Sequence, residues 1–175
     1  MAEAKIPKKA KLIAGIMWAD EKARDAAIKK LTEKFGEIDS ESEEYDFFQF
    51  TDYYKGEMGP KITKKIVSFK NLINREKLAA IKIFTNRLEE DVSGGKRRAV
   101  NIDAGYLTEC NVVLASAKEM PHKPYIGKGV FADVVLRFRK GCYEAYDHTF
   151  PDHREGLVRE YYKKAREIYR KQLKS

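Results

Sequence analysis

Residues 101–107 and 111–118 alternate in side-chain character with a period of two, and this alternation constrains the fold more than any other feature of the chain. The two segments are joined through Thr108-Glu109-Cys110-Asn111. Pairing Leu107 with Val112 fixes every other pair of an antiparallel hairpin. Ile102, Ala104 and Tyr106 then share an apolar face with Ala117, Ala115 and Val113. On the opposite face Asp103 stands across from Ser116, and Asn101 across from Lys118. A slip of one residue would mix the two sets, so their separation is itself evidence for the register. Directly opposed side chains lie about 5 Å apart at Cβ, which puts Asp103 and Lys118, on the diagonal, within reach of an ion pair.

The result is a compact polar patch of carboxylate, amide, hydroxyl and ammonium. Read as a site, Asp103 is a general base or a metal ligand, and Lys118 holds phosphate as a point charge. Read as scaffold, the same face is a solvated sheet surface with an ordinary ion pair. His122 follows Lys118 by four residues and can lean over the patch, where an imidazole titrates near neutral pH. Further on, Gly127-Lys128-Gly129 can present backbone N–H groups and the Lys128 ammonium to a phosphate. It is not a Walker A loop. Tyr54 and Glu57 lie near a turn and complete the candidates. Asp103, Lys118 and His122 are thus the catalytic candidates, with Asn101, Ser116, Lys128, Tyr54 and Glu57 as ligand-binding residues. His148, Asp152 and His153 are metal-ligating types, but Pro151 interrupts them and their spacing matches no metal signature, so no metal site is expected. No motif names a cofactor.

Around this hairpin the chain reads as follows. The apolar run 11–18 suits a buried strand, and Asp20 caps a helix over 21–35, which Gly36 stops. Acid-rich residues 37–46 suit a solvated loop or an edge, and the aromatic stretch 45–54 reads as a strand. A strand over 62–69 follows, then a helix that Asn74 caps and that runs to about Val92. Residues 99–107, 111–118, 130–139 and 142–149 form a β-meander, with Lys140-Gly141 as a tight hairpin turn. An amphipathic helix covers 156–173. The expected fold is α+β: a mainly antiparallel sheet with about three helices, whose β-α-β-β-α-β start is ferredoxin-like and is extended by the meander and the last helix.

Length fits one domain over 11–175, preceded by a flexible basic N-terminus at 1–10. The net charge of +8 and a pI near 9.3 favour anionic partners. Asp133, Arg137 and Arg139, on one strand face, together with Lys163, Lys164, Arg166, Arg170 and Lys171 on the last helix, offer a basic surface. Cys110 and Cys142 make neither a disulfide framework nor a metal spacing, which points to a reducing compartment. With no secretory leader and no apolar run long enough for a bilayer, the cytoplasm is the expected location and no membrane partner is expected.

Five strings carry a resemblance over nearly the whole chain: TDYYKGEMG at 51–59, KRRAVNIDAGYLT at 96–108, VVLASAK at 112–118, YIGKGVFADVVLRFRKG at 125–141 and TFPDHR at 149–154. In this order they resemble the prokaryotic family numbered 4416 among domains of unknown function, whose members often carry the label "GTP-binding protein". Asn101, Asp103, Ser116, Lys118, His122 and Lys128 match the family pattern. The chain departs from it at Ala104, Ala117, Glu119 and Lys123-Pro124, where the family has proline, threonine, aspartate and Arg-Ile. Ser116-Ala117-Lys118 is similar to the guanine-contacting SAK element of small GTPases. The missing phosphate loop, the missing Asn-Lys-x-Asp and the antiparallel sheet argue against a Ras-like GTPase.

The sequence therefore leads to a cytoplasmic protein that binds a phosphate-bearing ligand, a nucleotide such as GTP or an RNA, on the polar sheet face. The rival expectation is a non-enzymatic interaction or RNA-associated module anchored by the basic last helix. A third is a homodimer that buries the patch. The sequence fixes neither the oligomeric state nor the reaction.

Overall fold

The computed structural model describes residues 1–95 and 97–174. Lys96, which opens one of the family strings, and Ser175, the last residue of the expected domain, lie outside the described residues. Regular structure begins with β1 (Ala10–Trp18), whose nine residues are all buried. Asp20 accepts a hydrogen bond from the Lys22 N–H at 2.9 Å and starts α1 (Glu21–Phe35). Then come β2 (Ile38–Glu41), β3 (Tyr45–Asp46), the single turn α2 (Lys55–Met58), β4 (Thr63–Ile73), α3 (Leu78–Ser93) and β5 (Val100–Leu107). The second half holds β6 (Asn111–Ser116), β7 (Tyr125–Gly127), β8 (Val130–Arg139), β9 (Cys142–Ala145), α4 (Pro151–Arg154) and α5 (Gly156–Gln172).

These strands form one sheet in the order β2-β4-β1-β5-β6-β8-β7, with β3 added on β4 and β9 on β8. Every strand pair in it is antiparallel. The fold is the expected α+β class. Its first half sets β1 between β4 and β5, the interleaving of a split β-α-β-β-α-β unit. Leu12, Ala14, Ile16, Trp18, Ile102 and Ala104 pack one sheet face against α1 and α3. Ile13, Ile66, Leu107, Val112 and Leu136 pack the other face against Tyr161, Tyr162, Ala165 and Tyr169 of α5.

Three local expectations change. The aromatic stretch 45–54 is a strand only at Tyr45–Asp46 and then turns through a 3-10 helix at Phe47–Gln49. Asp46 accepts from the Phe48 N–H at 3.0 Å, and Thr51 Oγ1 accepts from the Tyr53 N–H at 3.1 Å. Such side-chain bonds compete with a ladder. Asn74 makes no side-chain cap and precedes a 3-10 turn, Arg75–Lys77, that leads into α3. The last meander strand stops at Ala145.

The 101–118 hairpin has the expected register at its closed end, with Leu107 opposite Val112 and Tyr106 opposite Val113. The ladder ends at Gly105 and Leu114. Beyond that point β5 stays with β1, placing Asp103 beside Gly15, while β6 stays with β8, placing Ser116 beside Phe131. The anticipated pairs Asp103–Ser116 and Asn101–Lys118 are therefore not ladder partners. Side chains of α3 take over the exposed edge of β5. Lys82 Nζ donates to the Ile102 carbonyl at 2.9 Å, and Glu89 Oε1 accepts from the Ile102 N–H at 2.7 Å. The sheet is open at its centre between β5 and β6.

A second irregularity lies on β8. Val112 pairs with Leu136 but Val113 pairs with Val134, so Val135 is the extra residue of a bulge. The bulge reverses parity. Asp133 thus shares a face with Leu136 and Phe138 and is 1% exposed, not outward with Arg137 and Arg139 as the plain alternation implies. Among the described residues, Cys110 and Cys142 are free and exposed, and no helix is long and apolar enough to cross a membrane.

Candidate functional site

At the opening between β5 and β6 lies a cavity of about 1080 Å³, lined by residues of β5, β6, α3 and the segments around α2 and α4. Its floor is a buried ion cluster. Lys64, Ile66 and Ser68 alternate inward along β4, in step with Ile62 just before it, and Lys64 is wholly enclosed. Lys64 Nζ lies 2.8 Å from Asp152 Oδ2 and 3.4 Å from Asp103 Oδ2, and 5.0 Å above the Phe47 ring. Tyr45 donates its hydroxyl to Asp152 at 3.1 Å. Gly15 makes room for the lysine stem, since a Cβ there would sit 3.1 Å from Lys64 Cε. Asp152 is brought in by α4, where Pro151 occupies the first helical turn and does not obstruct it.

The cluster sets its own protonation. Burial would discharge Lys64, but Asp152, Tyr45 and Asp103 outweigh it and raise its pKa. Burial would likewise protonate Asp152, yet Lys64 and His153 hold it well below the usual carboxylate range. Asp103 follows the same logic: Lys64, Lys82 and the Asn101 amide together overcome burial and lower it. Asp103 is consequently a fixed carboxylate, partly open to the cavity and suited to accept hydrogen bonds. His153 is buried with its Nδ1 3.1 Å from the Tyr162 hydroxyl, and burial depresses it toward the neutral form.

One wall continues from Asp103. Asn101 Nδ2 donates to Asp103 Oδ1 at 3.1 Å, and Arg98 bridges Asn101 and Glu89 while reaching Glu57 Oε1 at 3.0 Å. The facing rim comes from the end of β6. Ser116 Oγ accepts from the Lys118 N–H at 3.1 Å and from Lys123 Nζ at 3.3 Å. Lys118 Nζ donates to the Tyr53 hydroxyl at 2.9 Å and stands 4.7 Å over the Tyr53 ring. Tyr54 packs edge-on to Tyr53, and burial pushes its hydroxyl up to about 12.

Asn101, Asp103, Ser116, Lys118, His122, Tyr54 and Glu57 all line this one cavity. Lys128 does not. It is exposed in the β7–β8 turn with φ 58, between Gly127 and Gly129. The anticipated Asp103–Lys118 ion pair does not form, because Lys64 takes Asp103. Of His148, Asp152 and His153, for which the sequence shows no metal signature, Asp152 and His153 stay together with His153 Nε2 3.8 Å from Asp152 Oδ2, while His148 lies apart. Asp152 joins Lys64, His153 joins Tyr162, and His148 stacks on His122 with ring centroids 4.1 Å apart.

Sequence reasoning did not single out Lys64 or Arg98, and it gave Asp152 and Asp133 other roles, as a metal-ligating type and as part of an outward strand face. Lys64 had a readable signal, a lysine at inward parity between Ile62 and Ile66. Asp133 did not, since only the bulge turns it inward.

The chain is thus an antiparallel α+β protein whose sheet opens at its centre over a buried lysine–carboxylate cluster. The chain belongs to the family described as "Domain of unknown function (DUF4416)", whose match spans residues 8–169. No curated protein and no solved structure matches it.

Proposed function

We propose that the central cleft binds a phosphate-bearing small molecule, with a nucleotide such as GTP as the ligand to test first. The observation that carries this reading is Lys118. Among the described residues it is the one lining cation without a carboxylate partner, and it stands at the rim against an aromatic ring. A phosphate at that point gains a charge-assisted contact with no ion pair to break. Tyr53 and Tyr54 beside it offer ring faces for a base. The ionised Asp103, opposite, is an acceptor for ribose hydroxyls or base N–H groups. The lowered pKa of Asp103 favours that role over proton abstraction. A volume of about 1080 Å³ holds a ligand of this size.

The basic helix gives less support to RNA. Arg166 lies 3.6 Å from the Phe138 ring centroid and donates to the Glu109 carbonyl, and Arg170 pairs with Glu167 and Glu109. Isothermal titration with GTP, ATP and inorganic phosphate tests the reading. Lys118→Ala should weaken nucleotide binding at least about tenfold, one charge-assisted hydrogen bond, and leave melting unchanged. Absence of nucleotide binding, or binding indifferent to Lys118→Ala, refutes it. A short RNA that binds with a steep salt dependence instead of the nucleotide would favour the rival module.

A further inference from the structure

We propose that His122, Asp133 and His148 hold one divalent transition-metal ion on the wall of the cleft, zinc being the first to test. The three come from separate places: the loop between β6 and β7, the strand β8, and the turn that follows β9. The fold nevertheless brings one donor atom from each within 4.8 Å of the others. His148 Nε2 lies 3.6 Å and His122 Nε2 3.9 Å from Asp133 Oδ1. Donors bound to zinc at its usual bond lengths stand roughly 3.3 to 3.5 Å apart in a tetrahedron, so each imidazole has about 0.1 to 0.6 Å to close on the carboxylate.

Asp133 supplies the independent observation. Its side chain is 1% exposed, yet neither carboxylate oxygen accepts a hydrogen bond among the described residues. Buried carboxylates are ordinarily hydrogen-bonded, paired or metal-bound. Lys123 Nζ stands 3.0 Å from Oδ2 and balances part of the charge. Oδ1 faces the two imidazole rings. The bulge at Val135 is what points this carboxylate inward.

The imidazoles are held rather than loose. The His148 ring stacks between His122, at 4.1 Å, and Tyr146, at 5.3 Å. Its Nε2 rests 3.1 Å from the Val134 carbonyl, which requires a proton on that nitrogen when no ion is bound. Ligation replaces that proton and draws the ring from the carbonyl onto the ion. Two imidazoles and one carboxylate suit zinc, manganese or ferrous iron better than magnesium, which prefers oxygen donors. Three protein ligands also leave a coordination position toward the cleft, the pattern of catalytic rather than structural zinc sites. The ion would then stand beside Ser116 and Lys123, within the same cavity as Asp103 and Lys118.

The proposal does not depend on the nucleotide reading, because the chain alone supplies the donors. The test uses the full chain without a histidine tag, stripped with chelator. Zinc and magnesium are titrated calorimetrically near neutral pH, and bound metal is counted by elemental analysis after desalting. The expected result is one zinc per chain, no magnesium, and a loss of zinc affinity of at least about tenfold in His122→Ala and in His148→Ala. Far-UV circular dichroism shows which variants are folded. Both histidines are about a quarter exposed, and either folded variant suffices. Zinc bound equally well by a folded variant, or not bound by the wild type, overturns the site whatever the nucleotide titration shows.

Discussion

Replacing Lys64 by methionine tests the buried cluster under the cleft. The substitution keeps the stem's length and apolar contacts and removes one charge. Lys64 is 2% exposed and Asp152 1%, so solvent screens neither. Deleting one partner of a buried pair strands the other, at a cost of about 3–5 kcal/mol. For a chain of this size that corresponds to a fall in Tm of roughly 6 to 20 °C. The pH dependence gives the sharper reading. In the wild type Asp152 has a depressed pKa, so its contribution to stability is present above the ordinary carboxylate pKa and is lost as pH falls through its folded value. Without Lys64, burial dominates and raises Asp152, so the carboxylate costs stability at neutral pH and ceases to do so once protonated. The deficit of Lys64→Met should be largest near pH 7 and shrink as the medium approaches about pH 4. Urea denaturation at stepped pH measures it, and adding Asp152→Asn should recover most of the loss at pH 7. A deficit that is absent, or that grows on acidification, refutes the reasoning.

Other perturbations follow from the same geometry. Gly105→Ala would place a Cβ 2.4 Å from the Val113 carbonyl, where β5 and β6 part, and should cost at least about 1–3 kcal/mol in chemical denaturation. Thr149 Oγ1 donates to the bulged Val135 carbonyl at 2.5 Å and accepts from the Tyr146 N–H at 2.8 Å. Thr149→Val strands both groups, and thermal melts should show a loss of about 1–3 kcal/mol. Both cysteines are exposed, so a thiol reagent should modify two equivalents in the native protein as fast as in urea. Slow or single modification would contradict their placement.

What the sequence disclosed was whatever local pattern decides. The alternation gave the register of the hairpin's closed end, from Leu107–Val112 to Gly105–Leu114, and Asp20 and Gly36 bounded α1. Strand order in the first half was implied by the succession of elements. Long-range choices were not legible. The stretch 45–54 has the composition of a strand, but its rings turn back on Met17 and Ile62 around the Asp46 and Thr51 side-chain bonds. One extra residue at Val135 inverted the facing of Asp133. The partner of Asp103 lay on a strand 39 positions away, and no spacing rule selects Lys64 over Lys118. Seven candidate residues therefore fell on the cavity wall, while the buried lysine beneath it was not among them and the pairs these residues make did not show in the sequence.

The hand-over from backbone to helix side chains at Ile102 has a consequence for how such an opening survives. A rift in a sheet normally leaves a raw margin of peptide groups, a template on which a stray strand can zip. Here Lys82 and Glu89 together close that margin at Ile102, taking its carbonyl and its N–H, and both are nearly inaccessible themselves. The protein thereby keeps a gap in the middle of its main ladder without leaving Ile102 as a seam for foreign chains to join.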